Sequence, residues 1–492
     1  MLLHFGAVDW KADVWVNGVS VGSHTGGYTP FEFDITSALK KGANDIRVRV
    51  WDPTDDGYQP RGKQVNRPEG IWYTPVSGIW QTVWLEAVPQ QYIKEVKTTP
   101  DLDRKSFRVE APVCGAQPED RIEVALFDGD TQVAKGSSLN GAAVELAVAE
   151  PKLWSPASPF LYDMKVSLVR NGKKIDEVES YTAMRKFSIG RDADDIVRLE
   201  LNNEPVFQFG PLDQGWWPDG LYTAPSDEAL AFDVIKTKDL GYNMIRKHVK
   251  VEPARWYYHC DKLGMIVWQD MVSGGQPYSF LHVSALPTLG KVDLPDQDAK
   301  PYGRSGVLSR ARFRREMADT VRLLYNCPCI ALWTVFNEGW GQFDALDMAN
   351  ELKKLDPTRF IDHASGWQDQ GYEEMKSRHI YFRPVKLKND GRALALTEYG
   401  GYILAVDGHR WTDKVFGYRI CRNSAALAHD YEKLMLGQVL PHIRKEGLTA
   451  AVYTQITDVE EELNGLMTYD REVLKIPEET LREINAALRF DA

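Results

Sequence analysis

Cysteine is scarce in this 492-residue chain: Cys114, Cys260, Cys327, Cys329 and Cys421 are an odd, widely spread set. That count argues against a disulfide framework and predicts a reducing, cytoplasmic setting. Cys327 and Cys329 flank Pro328, but no second Cys/His pair at finger-like spacing accompanies them, so buried thiols are expected and a metal site is not. The chain also lacks any run of about 20 apolar residues of the kind that spans a bilayer. Met1 to Trp10 shows no basic stretch followed by an apolar one, so no targeting segment is read there. Basic residues number 59 against 70 acidic, a formal charge of −11 with no Lys/Arg block. Nucleic acid and anionic membranes are therefore not expected partners.

Aromatic residues, by contrast, are abundant, with 15 Trp and 21 Tyr, many of them beside Gly, Pro, Asp or Asn. Carbohydrate sites use exposed aromatic faces in this way, although core packing uses aromatics too. At roughly 100–200 residues per domain, the length predicts about three units.

The pattern along the chain separates those units. Residues 1–89 alternate apolar and polar positions in short runs, as in Ala12 to Val16, then Asn17-Gly18, then Val19 to Gly22, the strongest short hairpin signal. Runs at Asp45 to Trp51 and Trp80 to Glu86 complete a β-sandwich reading. Residues 90–187 repeat the theme with runs at Phe107 to Ala111, Arg121 to Phe127, Val144 to Val148 and Tyr162 to Val169, predicting an immunoglobulin-like sandwich. From 188 to 492 strands alternate with helical stretches. Strands are expected at Val206 to Phe209, Asn243 to His248, Met265 to Asp270, Ile330 to Glu338, Phe360 to Ser365, His379 to Phe382, Ala393 to Tyr399 and Ala450 to Thr457. Eight such units over about 300 residues predict a (β/α)8 barrel. A doubly wound sheet is the alternative, but no Gly-rich dinucleotide loop follows the first strand.

Two of these strands carry a glutamate at their C-terminal ends. Ile330 to Phe336 is a near-continuous apolar run that leads into Asn337-Glu338-Gly339-Trp340, and Ala393 to Leu396 leads into Thr397-Glu398-Tyr399-Gly400-Gly401. The C-terminal ends of barrel strands converge on one face, so Glu338 and Glu398 are expected to share a cleft. Either glutamate alone would serve equally well as a cap or ion-pair partner. Together they fit glycosidic bond cleavage, which needs a proton donor at the leaving oxygen and a nucleophile or stabiliser at the anomeric carbon.

Phe336-Asn337-Glu338-Gly339-Trp340 resembles the acid/base motif of glycoside hydrolase family 2, and Thr397 to Gly401 is similar to that family's nucleophile motif. Asn243-Met244-Ile245-Arg246-Lys247-His248 is similar to its Asn-x-x-Arg-x-His stretch, and the domain order matches as well. The resemblance implies a retaining exo-β-glycosidase, β-galactosidase-like first and β-mannosidase or β-glucuronidase second, acting on a glycoside or oligosaccharide without metal or cofactor. It implies that Glu398 attacks the anomeric carbon and that Glu338 protonates the leaving oxygen. Asn337 would bond the sugar 2-hydroxyl and Arg246 would hold Glu398 ionised. His248, Tyr381, Trp340 and Tyr399 are expected to line the sugar pocket, with Asp213, Trp216 and Asp270 as hydroxyl or ring contacts. From the flanking residues, Trp333, Phe336 and Trp340 are expected to desolvate Glu338, and the Tyr399 hydroxyl to support Glu398.

Three departures stand beside the resemblance. Leu2 to Trp10 resembles a strand from the middle of the family's N-terminal domain, which predicts an unpaired edge near Phe5 to Trp15 and association through it. Trp268-Gln269-Asp270 is closer to the mannosidase branch, and no Asn-x-Lys motif of the glucuronidases lies near Glu398. A carbohydrate-binding array with a dead barrel is the non-enzymatic alternative.

Overall fold

A computed structural model describes residues 1–139, 141–290 and 293–490. In the first 89 residues, Leu2–Phe5 is sandwiched between Phe31–Asp34 and Val83–Glu86, and Lys11–Val16 lies between Val19–Thr25 and Ile46–Trp51. Asn17 and Gly18 turn the predicted hairpin with φ of 53° and 83°, the left-handed pair that a two-residue turn matched to strand twist requires. Leu3, Phe5, Val14 and Val16 meet in one core. The predicted open edge near Phe5 to Trp15 is therefore corrected: both strands there are paired on each side, because they are the central strands of their sheets. The outer positions fall to Val83–Glu86 and Ile46–Trp51.

The second unit packs the four-stranded sheet Thr131–Leu139, Asp120–Asp128, Tyr162–Arg170 and Lys173–Thr182 on the three-stranded sheet Lys97–Asp101, Ser106–Glu110 and Val144–Ala147. Alternate residues Ile122, Val124 and Leu126 face Met164, Val166 and Leu168 in its core, the period-2 pattern of a sheet with one face buried.

The third unit is an eight-stranded parallel sheet: β1 (Gln208–Asp213), β2 (Met244–Lys247), β3 (Ile266–Asp270), β4 (Ile330–Thr334), β5 (Phe360–Asp362), β6 (Met375–Ile380), β7 (Ala393–Gly400) and β8 (Leu448–Thr454). Its spatial order 5-4-3-2-1-8-7-6 is that of a barrel, and Ser377 Oγ donates to Asp362 Oδ1 at 2.9 Å where β6 approaches β5. Helices follow β1, β2, β3, β4, β7 and β8, as at Asp227–Asp239, where Ser226 caps the first turn by accepting from Ala229 N. The connections after β5 and β6 depart from the (β/α)8 expectation. They carry loops without a helix, in segments punctuated by Gly366, Gly371, Pro384 and Asn389-Asp390-Gly391. Among the described residues no helix is long and apolar enough to cross a membrane.

Candidate active site

Alternation along the barrel strands decides which side chains face inward. On β2, Arg246 points into the barrel and is fully buried, while its neighbour Lys247 points outward to Asp213 and Glu252. The Arg246 guanidinium is shared among four groups. It forms a two-point pair with Asp270 at 3.0 Å, and donates to Glu398 Oε1 at 3.1 Å, to Asn337 Oδ1 at 2.7 Å and to the Thr397 carbonyl.

The two glutamates are aimed by local backbone departures. Glu338 follows β4 with φ of +51° and Gly339 with +74°, a left-handed step that is costly for a residue with a Cβ and is held by the Glu338 N to Ser365 carbonyl bond. Glu398 lies at a register shift of β7 against both β6 and β8, a bulge that redirects a side chain. One carboxyl oxygen of each glutamate lies within 4.8 Å of the other's. His379 stands between them, with Nδ1 2.8 Å from Glu338 Oε1 and 3.5 Å from Glu398 Oε2. The Tyr381 hydroxyl donates to Glu398 Oε2 at 2.5 Å.

Burial sets the protonation of this group. Desolvation pushes Glu338 up to about 7, against the pull of the Lys63 and Arg246 charges. Glu398 is raised by burial too, and the Glu338 charge adds to that, while His379, Arg246 and the Tyr381 hydrogen bond oppose it. Desolvation lowers His379 to about 4, so its imidazole is neutral near pH 7. His379, Glu338 and Glu398 are ligand types a metal would accept. Here, however, the Arg246 guanidinium already supplies the cation beside Glu398, and His379 Nδ1 is taken up by Glu338.

Several expected contacts lie elsewhere. Tyr399 follows Glu398 on the strand and so faces the opposite way: its hydroxyl meets the Met435 sulfur at 3.2 Å, outside the barrel. Asp213 is likewise held in an outward cluster by Lys247 at 2.7 Å and the Gly215 N–H, away from the glutamates. Trp216 is core, packed on Tyr73 and Tyr222. Asp270 is in the site but buried, with both oxygens engaged by Arg246 and His248 Nδ1, so it positions those two side chains. Trp333 and Phe336 do not shield Glu338: Trp333 donates to Asp356, and Phe336 stacks on Phe313. Trp340 does stand in the wall, beside His248 and Trp72.

The sequence reading missed His379, Tyr418 and a segment of the first sandwich. His379 was legible, two residues before Tyr381 on the same strand face. Tyr418 stacks on Tyr381 with centroids 3.9 Å apart. From the sandwich, buried Lys63 lies 5.7 Å from the Trp340 ring and 3.8 Å from Glu462, and Tyr73 donates to Glu462. Nothing local in the sequence ties these residues to Trp340 and Glu462, far along the chain in the barrel unit.

Comparison with known proteins follows the same three units. Residues 1–89 match the glycosyl hydrolases family 2 sugar binding domain, 91–185 the glycosyl hydrolases family 2 domain, and 224–388 the family 2 TIM barrel domain. The chain belongs to glycosyl hydrolase family 2. Among family 2 relatives, a provisionally named β-glucuronidase of Formosa agariphila is 26% identical over 348 residues, covering 68% of this chain and 37% of its own. A β-galactosidase of Thermoanaerobacter pseudethanolicus is 26% identical over 378 residues, covering 73% of this chain and 45% of its own. The chain thus spans less than half of these relatives' length. The solved β-D-glucuronidase of Dictyoglomus thermophilum shares the fold, with a TM-score of 0.76 at 18% identity over 99% of this chain and 87% of that one.

The shared guanidinium gives a stability prediction. Arg246→Met is expected to cost about 3–5 kcal/mol, because Asp270 and Glu398 are left as buried charges without their cation. Denaturant unfolding measures it, and a loss below about 1 kcal/mol would show that the pairs contribute little.

Proposed function

We propose that this chain is a retaining exo-β-glycosidase that removes a terminal β-linked sugar by double displacement. The observation that carries the reading is the approach of one carboxyl oxygen of Glu338 to within 4.8 Å of one of Glu398. Retaining pairs stand about 5–5.5 Å apart, whereas inverting pairs leave about 6.5–9.5 Å for a water.

Glu398 attacks the anomeric carbon, its lone pair oriented by Arg246 and Tyr381. Glu338, whose hold on its proton burial strengthens, gives that proton to the leaving oxygen and then takes one from the incoming water. Asn337 offers an amide nitrogen that is buried and without a partner, fit to donate to the sugar 2-hydroxyl. Lys63, Trp72 and Trp340 wall the cleft on the sandwich side, which favours cleavage at a chain end. Arg246 and Lys63, the cations acting on Glu338, each already face a carboxylate. That supports a neutral sugar, β-galactoside first. The curated relatives also include a β-glucuronidase, which keeps the uronide as the second reading.

A panel of aryl β-galactoside, β-glucuronide, β-mannoside and β-glucoside tests the proposal. The galactoside is expected to be cleaved fastest, and a silent panel would sink the reading. On the accepted substrate, kcat/KM is expected to fall as pH rises through about 7, because Glu338 must carry its proton in the free enzyme. A profile flat from about pH 6 to 9 would remove the acid role.

A further inference from the structure

We infer that the outer part of the cavity at Glu338 is a leaving-group site that favours an apolar, ring-bearing aglycone over a second sugar. The inference rests on the glycosidase reading above. The cavity is about 950 Å³ and includes Glu338, His379 and Tyr381 in its lining, but not Glu398. Tyr381 and His379 also reach Glu398, so the cavity holds the reacting pair at its floor, and the walls farther out meet the leaving group.

The walls come from three places in the fold. The first sandwich supplies Ile71 and Trp72, the segment after β3 supplies Phe280, and the loops after β6 and β7 supply Phe382, Val415 and Phe416. Phe280 and Phe382 are 74% and 72% exposed, although neither helps a domain core. Contiguous apolar surface of this kind marks a binding site. Phenyl rings present no polar edge to hydroxyls, and here Phe280, Phe382 and Phe416 form the apolar part of a wall that also holds Trp72, Trp367, Tyr381 and Tyr418. Of the polar wall groups, Lys414 faces Glu461 at 3.3 Å and Glu461 Oε2 accepts from Gly70 N at 2.9 Å, while the Trp367 indole N–H is buried without a partner.

Two measurements on the full chain separate this inference from the reading beneath it. In calorimetry, 2-naphthol is expected to bind at least about tenfold more tightly than cellobiose, since it buries a ring that the sugar cannot. The double variant Phe280→Ser/Phe382→Ser is expected to lose that difference, and both side chains are exposed, so neither substitution opens a core cavity. In kinetics on the accepted terminal sugar, the 2-cyclohexylethyl glycoside is expected to exceed the methyl glycoside at least about tenfold in kcat/KM. Both leaving groups are alkyl, so their acidity is matched, and the ratio is expected to fall toward one in the double variant. Absent naphthol binding, a ratio untouched by the variant, or a disaccharide outrunning the cyclohexylethyl glycoside would overturn the inference. Naphthol binding without turnover of any glycoside would instead remove the glycosidase reading while retaining the apolar site.

Discussion

Glu398→Gly is expected to lose turnover by about 10⁴-fold or more, the scale seen when a group that acts in covalent catalysis is removed. Sodium azide is expected to restore it as a glycosyl azide of inverted configuration. The substitution empties a carboxylate-sized space beside the Arg246 guanidinium, which stood 3.1 Å from Glu398 Oε1 and can hold a small anion in its place. Product configuration by NMR reads the outcome. An azide of retained configuration, or a variant as active as the parent, would remove Glu398 from the nucleophile's role.

Glu338→Ala is expected to separate two classes of substrate. Glycosides with poor leaving groups need the proton and are expected to slow by about 10²–10⁴-fold. Activated aryl glycosides need little protonation, so they still form the glycosyl enzyme and release a burst of phenol before slow hydrolysis. Equal losses on both classes, read by stopped-flow absorbance, would argue that Glu338 is not the acid. His379, 2.8 Å from Glu338, is expected to be neutral near pH 7 and so does not take over as the proton donor.

The glutamates were legible because each closes an apolar strand at the end where barrel sites form, and strand order places those ends together. The same alternation that put Glu398 inside could have excluded Tyr399, its immediate neighbour, and assigned the hydroxyl to Tyr381, which shares a face with His379. Asp213 misled for a related reason: a carboxylate at a strand's end looks catalytic until its partner is known, and Lys247 claims it from the next strand's outward face. The two missing helices had local signals in Gly and Pro, but periodicity read over short segments does not distinguish a long loop from a weak helix. Lys63 and Trp72 were beyond reach of any local pattern, since only the docking of the sandwich on the barrel brings them to Trp340.

That docking ties the lifetime of the pocket to a joint between folding units. Tyr73 and Lys63 engage Glu462 from across the joint, and the backbone N–H groups of Gly70 and Thr74 rest on Glu461 and Glu460. Were the sandwich to let go, Glu460, Glu461 and Glu462 would each lose a partner together and the cleft would lose a wall. The open side of the pocket is thus only as durable as this joint, where Tyr28, Tyr73 and Trp80 pack into the same core as Trp216 and Tyr222.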